Sequence, residues 1–230
     1  MRRPASDIYG MEPSRPADYE DMRCDVIRRR WDQKAERWDG DLASDQCHLH
    51  EDDAYRRFLE TASAIVAERA AWCRRRLLVD LACGTGLVLA HFIDRFAGGL
   101  GIDISQRMLE MARRRQLPRA QFRAGNCFEL SGLVADAGGV LSRGILLSHY
   151  GQKWAPVLFR QIHAALAPEG GFALLDFLNA AARQRYPSNP ENKTYFHAEP
   201  LAALASQAGF RRSTLLGEPQ RRVLCILLER

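Results

Sequence analysis

The sequence predicts an α/β fold: a doubly wound, mostly parallel sheet of about seven strands, ending in an antiparallel C-terminal hairpin and preceded by an N-terminal helical cap. Three observations carry this. From Leu77 onward, short apolar runs alternate with amphipathic stretches of helical length, the pattern of a parallel sheet covered on both faces. The first run, "LLVDLACGTGLVL" (77–89), passes from a strand into a Gly-x-Gly turn and then a helix. The last two runs, "RRSTLLGE" and "RRVLCILLE", are too close together for a helical crossover and read as a hairpin.

The elements follow in order. Residues 1–17 are rich in proline, serine and charge and read as a mobile N-terminus. The cap spans 18–75. Between Tyr19 and Trp38, the residues Met22, Ile27, Trp31, Ala35 and Trp38 recur at three- to five-residue steps, which predicts one amphipathic helix. After a polar break at 39–50, "EDDAYRRFLETASAIVAERAAWCRRR" (51–76) reads as one long helix whose acidic start and basic end suit its dipole. The core, 76–230, holds the strands "LLVDLA", "GLGID", "AQFRA", "GGVLSRG", "GGFALLDF" and the final pair. Its helices are "GLVLAHFIDRF", "SQRMLEMARRR" with Ser105 as N-cap, "WAPVLFRQIHAAL", and "AEPLAALASQA" closed by Gly209. The stretch 178–196 is too long for an ordinary connection and reads as a flap over the substrate.

Composition narrows the function. At 230 residues and 47% hydrophobic, the chain suits one domain with an elaboration and can bury a full core. No run of eighteen apolar residues occurs, and none follows the N-terminal arginines, so neither a membrane span nor a secretory signal is expected and the cytoplasm is the expected location. Six cysteines, at 24, 47, 73, 83, 127 and 225, include no C-x-x-C pair and read as reduced thiols. The net charge of +5 is almost all arginine. Its clusters fall at the ends of predicted elements without aromatic stacking motifs, so they read as a solvated surface and not a nucleic-acid stripe.

The segment "DQCHLHEDD" (45–53) offers Cys47, His48 and His50, with Glu51 or Asp53, as metal ligands. It lacks H-x-x-x-H or C-x-x-C spacing, and its carboxylates are explained by the helix start that follows. No metal is expected there. His48 and His50 remain as substrate-facing groups or alternative bases.

The glycine turn carries the chemistry. Glycines let the backbone turn sharply and approach a ligand, and the helix start supplies free N–H groups. A dinucleotide fingerprint would place Gly or Ala where Leu89 stands, which argues against a nicotinamide or flavin. Seventeen residues after Gly86 comes Asp103, whose carboxylate can accept both hydrogen bonds of a ribose diol.

These motifs resemble the Rossmann-like class I S-adenosylmethionine-dependent methyltransferases. The likeness runs through "VDLACGTG", "GIDIS" with "MLEMAR", "FRAGN", "GVLSRGILLSHY", "LAPEGGFALLDF" and "ASQAGF", six motifs in order over 77–230. The resemblance implies S-adenosyl-L-methionine as cofactor and S-adenosyl-L-homocysteine as product. It implies Asp80, Ala82, Gly84 and Gly86 on the methionine side, Asp103 on the ribose, and Ile104, Asn126 and Cys127 around the adenine. Asn126 replaces the usual aspartate. Ser142 and Arg143 fall near the methionine moiety, and Trp38, in "WDQKAERWD", would lie over the sulfonium.

Ligands of open α/β sheets bind at the carboxyl ends of the strands. There His149 is the candidate general base, with Tyr150, Asp176, Asn179 and Tyr195 as substrate contacts. His91 and His163, inside helices, read as structural. The expected reaction is methyl transfer to an oxygen, nitrogen or carbon of a small-molecule acceptor, natural products included, by a monomer or homodimer with no membrane or nucleic-acid partner. The alternatives are an RNA or protein methyltransferase and a non-catalytic cofactor-binding partner.

Overall fold

The computed structural model describes residues 24–43, 53–186 and 193–230. The predicted mobile N-terminus, Cys47, His48, His50 and the 187–192 portion of the predicted flap lie outside the described residues.

The sheet has seven strands: β1 (Leu77–Leu81), β2 (Gly98–Asp103), β3 (Ala120–Ala124), β4 (Gly139–Ser142), β5 (Phe172–Leu178), β6 (Arg212–Leu216) and β7 (Val223–Glu229), in the order β3-β2-β1-β4-β5-β7-β6. The first five are parallel. β7 enters between β5 and β6 and runs antiparallel to both, as the short link before it requires.

Alternation along the strands makes the two faces. Val79, Leu81, Ala173, Leu175, Phe177, Leu224, Ile226 and Leu228 pack on one side with helix α7 (Ala155–Ala165) and helix α8 (Ala198–Gln207). Their neighbours Leu78, Phe172, Leu174, Cys225 and Leu227 pack on the other with α3 (Ala54–Glu68) and α5 (Leu87–Phe92). Helix α6 (Gln106–Arg114) starts at Ser105, whose hydroxyl accepts from Met108 N at 3.1 Å, the predicted N-cap. In β2, Gly101 has no room for a side chain: a Cβ there would stand 2.6 Å from Phe122 Cδ1 and 2.9 Å from Cys83 Sγ.

Two predicted helices are broken. The described part of the first runs as α1 (Cys24–Lys34), turns at 35–37, and resumes as α2 (Trp38–Ala43). In an unbroken helix, Trp31 and Trp38 would be separated by about 10 Å of rise. The turn brings their rings to 4.9 Å, edge to face. The second runs as α3, breaks at Arg69 (φ −107°) and resumes as the single turn α4 (Ala70–Cys73). There the guanidinium of Arg69 is drawn to Glu229 Oε1 at 2.8 Å and over the Phe172 ring. Both breaks come from tertiary contacts that helical periodicity does not register. No helix among the described residues is long and apolar enough to cross a membrane.

Candidate active site

The strand order reverses between β1 and β4, so the turns leaving their carboxyl ends part and open a crevice. Its empty space, open mouth included, is about 910 Å³. The ends of β1, β2 and β4 form its floor, and Trp31 and Trp38 of the cap form its roof.

The glycine turn is held by the next strand. Gly84 N donates to Asp103 Oδ2 at 2.8 Å, and Cys83 N donates to Ile102 O at 3.0 Å. Asp103 Oδ1 accepts from Ser105 N, also at 2.8 Å. Burial raises this carboxylate to about 6 against those stabilising bonds. Gly84 takes φ +53°, and the nearest groups to a Cβ there would be Met108 and Trp38 Nε1 at 3.9 Å, so its backbone faces the space under Trp38. Gly86 (φ +81°) lies behind the turn, close to Phe122 and Ala112.

Asp80 is 1% exposed and lines the crevice. Burial pushes it to about 7, partly offset by Arg143. Its Oδ2 has no hydrogen-bond partner among the described residues. A buried carboxylate oxygen without a partner is costly, and this one belongs to a residue that lines the crevice. Arg143 lies in the crevice wall with its guanidinium 4.6 Å over the Tyr55 ring. Asn126 and Cys127 close the far end. Asn126 Oδ1 accepts from Phe128 N at 3.1 Å, and burial raises the Cys127 thiol.

Of the residues singled out by sequence, the structure gathers Trp38, Asp80, Ala82, Gly84, Asp103, Ile104, Asn126, Cys127, Arg143, His149 and Tyr150 around this one space. Others stand apart. Ser142 Oγ donates to Leu81 O at 2.8 Å and ties β4 to β1. Asp176 accepts from Gly144 N at 3.0 Å and Ile145 N at 2.6 Å and fixes the turn after β4. Asn179 donates to Pro219 O and Arg221 O. Tyr195 is buried under the Arg183 guanidinium.

Three participants carried no functional signal of their own in the sequence: Trp31, Tyr55 and Lys193. Trp31 and Tyr55 read as helix-face residues, and both reach the crevice. Asp39 accepts from Thr85 Oγ1 at 2.5 Å and from Arg115. Lys193 places Nζ against Nδ1 of His149. The cap is also pinned by Asp32, which accepts from Ser105 Oγ at 2.6 Å.

Residues 78–170 match the model of a family described as a methyltransferase domain. A trans-aconitate 2-methyltransferase of Deinococcus radiodurans is 36% identical over 109 residues, which are 45% of this chain and 39% of that protein. The chain therefore spans about two fifths of the length of this curated relative. Among solved structures, magnesium protoporphyrin IX methyltransferase from Synechocystis PCC 6803 with bound S-adenosylhomocysteine superposes with a TM-score of 0.67 at 16% identity, covering 89% of this chain and 99% of that one. A DhpI complex with S-adenosylhomocysteine gives 0.64 at 17% identity, over 90% and 96% of the chains. At these identities the likeness is one of fold.

Proposed function

We propose that the chain, whose residues 78–170 match a methyltransferase-domain model, is a class I S-adenosylmethionine-dependent methyltransferase that transfers a methyl group from S-adenosylmethionine to a small-molecule acceptor. The observation that carries this reading is the set of acceptors at the crevice: the unpartnered Oδ2 of buried Asp80 and the carboxylate of Asp103, beside the close backbone approach at Gly84. That set fits an amino-acid ammonium beside Asp80, a ribose diol at Asp103 and a flat base between Ile102, Ile104 and Met108. When bound, S-adenosylmethionine supplies a methyl carbon activated by a positive sulfur.

The chain's own residues then have limited tasks. Trp31, Trp38 and Tyr55 exclude water from the crevice, and alignment of nucleophile with methyl carbon at about 3 Å is the main catalytic contribution. Arg143 would meet a carboxylate at the methionine end. His149 and Tyr150 are the polar groups best placed to meet the acceptor. The segment 178–196 would cover that end. Its described part is tied to the turn after β4 by Thr194 N donating to Ser148 O at 2.9 Å and Gln152 Nε2 donating to Tyr195 O at 3.1 Å. A monomer or homodimer in the cytoplasm suffices for such chemistry, and the enclosed crevice favours a small acceptor over RNA or protein.

Isothermal titration with S-adenosylmethionine and S-adenosylhomocysteine tests the reading. Saturable one-site binding that Asp103→Ala weakens by about a hundredfold is the expected result. Failure of the wild-type chain to bind either, or an Asp103→Ala affinity equal to wild type, overturns it.

A further inference from the structure

Among the described residues that line the crevice, the charged side chains are Asp80, Asp103 and Arg143. An S-adenosyl ligand brings a group to each: an ammonium, a ribose diol and a carboxylate. Once those are met, the β4 side of the crevice is left with apolar and aromatic surface. Leu146 and His149 follow β4 there, and Trp31 of the cap meets them from the roof. The Trp31 ring is 5.7 Å from the His149 imidazole, inclined at 59°, and 4.9 Å from the Trp38 ring, inclined at 83°. Trp38 stands over Gly84 and so serves the glycine turn.

Trp31 is half-buried, on a helix none of whose side chains is fully buried, so core packing does not account for it. Lys34 lies 5.7 Å over the Trp31 ring and Lys193 against His149 Nδ1, and neither lysine lines the crevice. Both bear on the rings of this wall and not on the space the wall encloses. A charged acceptor entering that space gives up its water against aromatic and aliphatic groups, which is costly without an opposite charge. A saturated molecule gains only from the apolar area it covers. A flat aromatic ring gains from the area and also from edge and face contacts with indole and imidazole.

We propose that the acceptor is an uncharged, flat aromatic compound whose ring packs against Trp31, with Leu146 and His149 beside it. This rests on the methyl-transfer reading above and names its substrate class. Trp31 is then the residue that sets acceptor specificity, distinct from Trp38 on the cofactor turn.

The test is a calorimetric titration of the full-length protein loaded with S-adenosylhomocysteine. The probes are naphthol and catechol, both flat and uncharged at neutral pH. The contrasts are cyclohexanol, which keeps a hydroxyl without the aromatic ring, and naphthoate, which keeps the ring and adds a charge. At least one of the two probes is expected to bind saturably, with an affinity that rising salt leaves unchanged. Cyclohexanol and naphthoate should bind at least about tenfold more weakly. Trp31→Ala should weaken the bound probe by about tenfold or more, through lost area and lost ring contacts, and Trp31→Phe should keep most of the affinity. The proposal is overturned if neither probe binds, if cyclohexanol or naphthoate binds as well as the probes, or if Trp31→Ala binds like wild type. It is equally overturned if Trp31→Phe fails as badly as Trp31→Ala, or if S-adenosylhomocysteine affinity falls in parallel with probe affinity. A wild-type chain that binds no S-adenosyl ligand sinks the methyl-transfer reading itself; one that binds the ligand and neither probe sinks this proposal alone.

Discussion

Asp39 of the cap accepts the hydroxyl hydrogen of Thr85 in the glycine turn at 2.5 Å. Its second oxygen takes the guanidinium of Arg115, which also donates through Nε to Thr85 O at 2.6 Å. The next residue back is Trp38, over Gly84. Cap and cofactor turn are therefore one unit. Asp39→Ala should lower stability by only about 1 kcal/mol, the worth of a half-exposed network of this kind, yet weaken S-adenosylmethionine by about fivefold or more. Calorimetric affinity and thermal melting, compared on the same variant, check this. Equal affinity with a lowered melting point would make the network merely structural.

Asp103 does two jobs at once. It accepts from Gly84 N and Ser105 N, each at 2.8 Å, and stands at the crevice edge. Asp103→Ala orphans two N–H groups and removes an acceptor for the ligand. An affinity loss of about a hundredfold is expected, two charge-assisted hydrogen bonds to ligand. Asp103→Asn keeps one acceptor and should lose less, by the same titration.

Asp176 anchors the wall that carries His149. Its carboxylate holds the N–H groups of Gly144 and Ile145, and Ile145 adopts φ +58°, a left-handed conformation that a β-branched residue keeps only when held. Asp176→Ala should destabilise by about 2–4 kcal/mol, from two buried N–H groups left unpaired. It should raise KM for the acceptor with cofactor affinity little changed. Denaturant melts and steady-state kinetics separate the two effects.

Buried carboxylates set a pH dependence. Asp80 is raised to about 7, and Asp103 and Asp176 to about 6, all by burial first. Each binds a proton more tightly folded than unfolded, so its contribution is full below about pH 4 and is lost as pH rises through 6 to 7. His91 and His163, lowered by burial, act in the opposite sense near pH 6.5. The isolating measurement is therefore the difference between wild type and Asp80→Asn. Between pH 5 and 7.5 the ligand-free wild type should lose melting temperature relative to that variant, and parallel curves would refute the assignment.

Much of this was readable before any coordinates. The strand and helix order and the antiparallel ending follow from local apolar patterns, because burial on two faces leaves a direct trace in residue order. The Gly-x-Gly turn and Asp103 were legible because a backbone turn and a diol acceptor need particular residue types at particular strand ends. Asp176 and Asn179 illustrate the limit. Both stand at strand ends where substrate contacts are expected, and both are taken up by backbone groups of neighbouring turns.

The sequence by itself determined the sheet, its switch point and the acidic and glycine groups along it, since each depends on periodicity or on the chemistry of one short segment. The tertiary structure alone decided where the cap folds back, at 35–37 and at Arg69, and which polar side chains face the crevice. Trp31 meets Trp38, Asp39 meets Thr85, and Lys193 meets His149 from 44 positions away in the chain. Those pairings depend on how separate elements pack, and no local pattern encodes the partner of a buried charge.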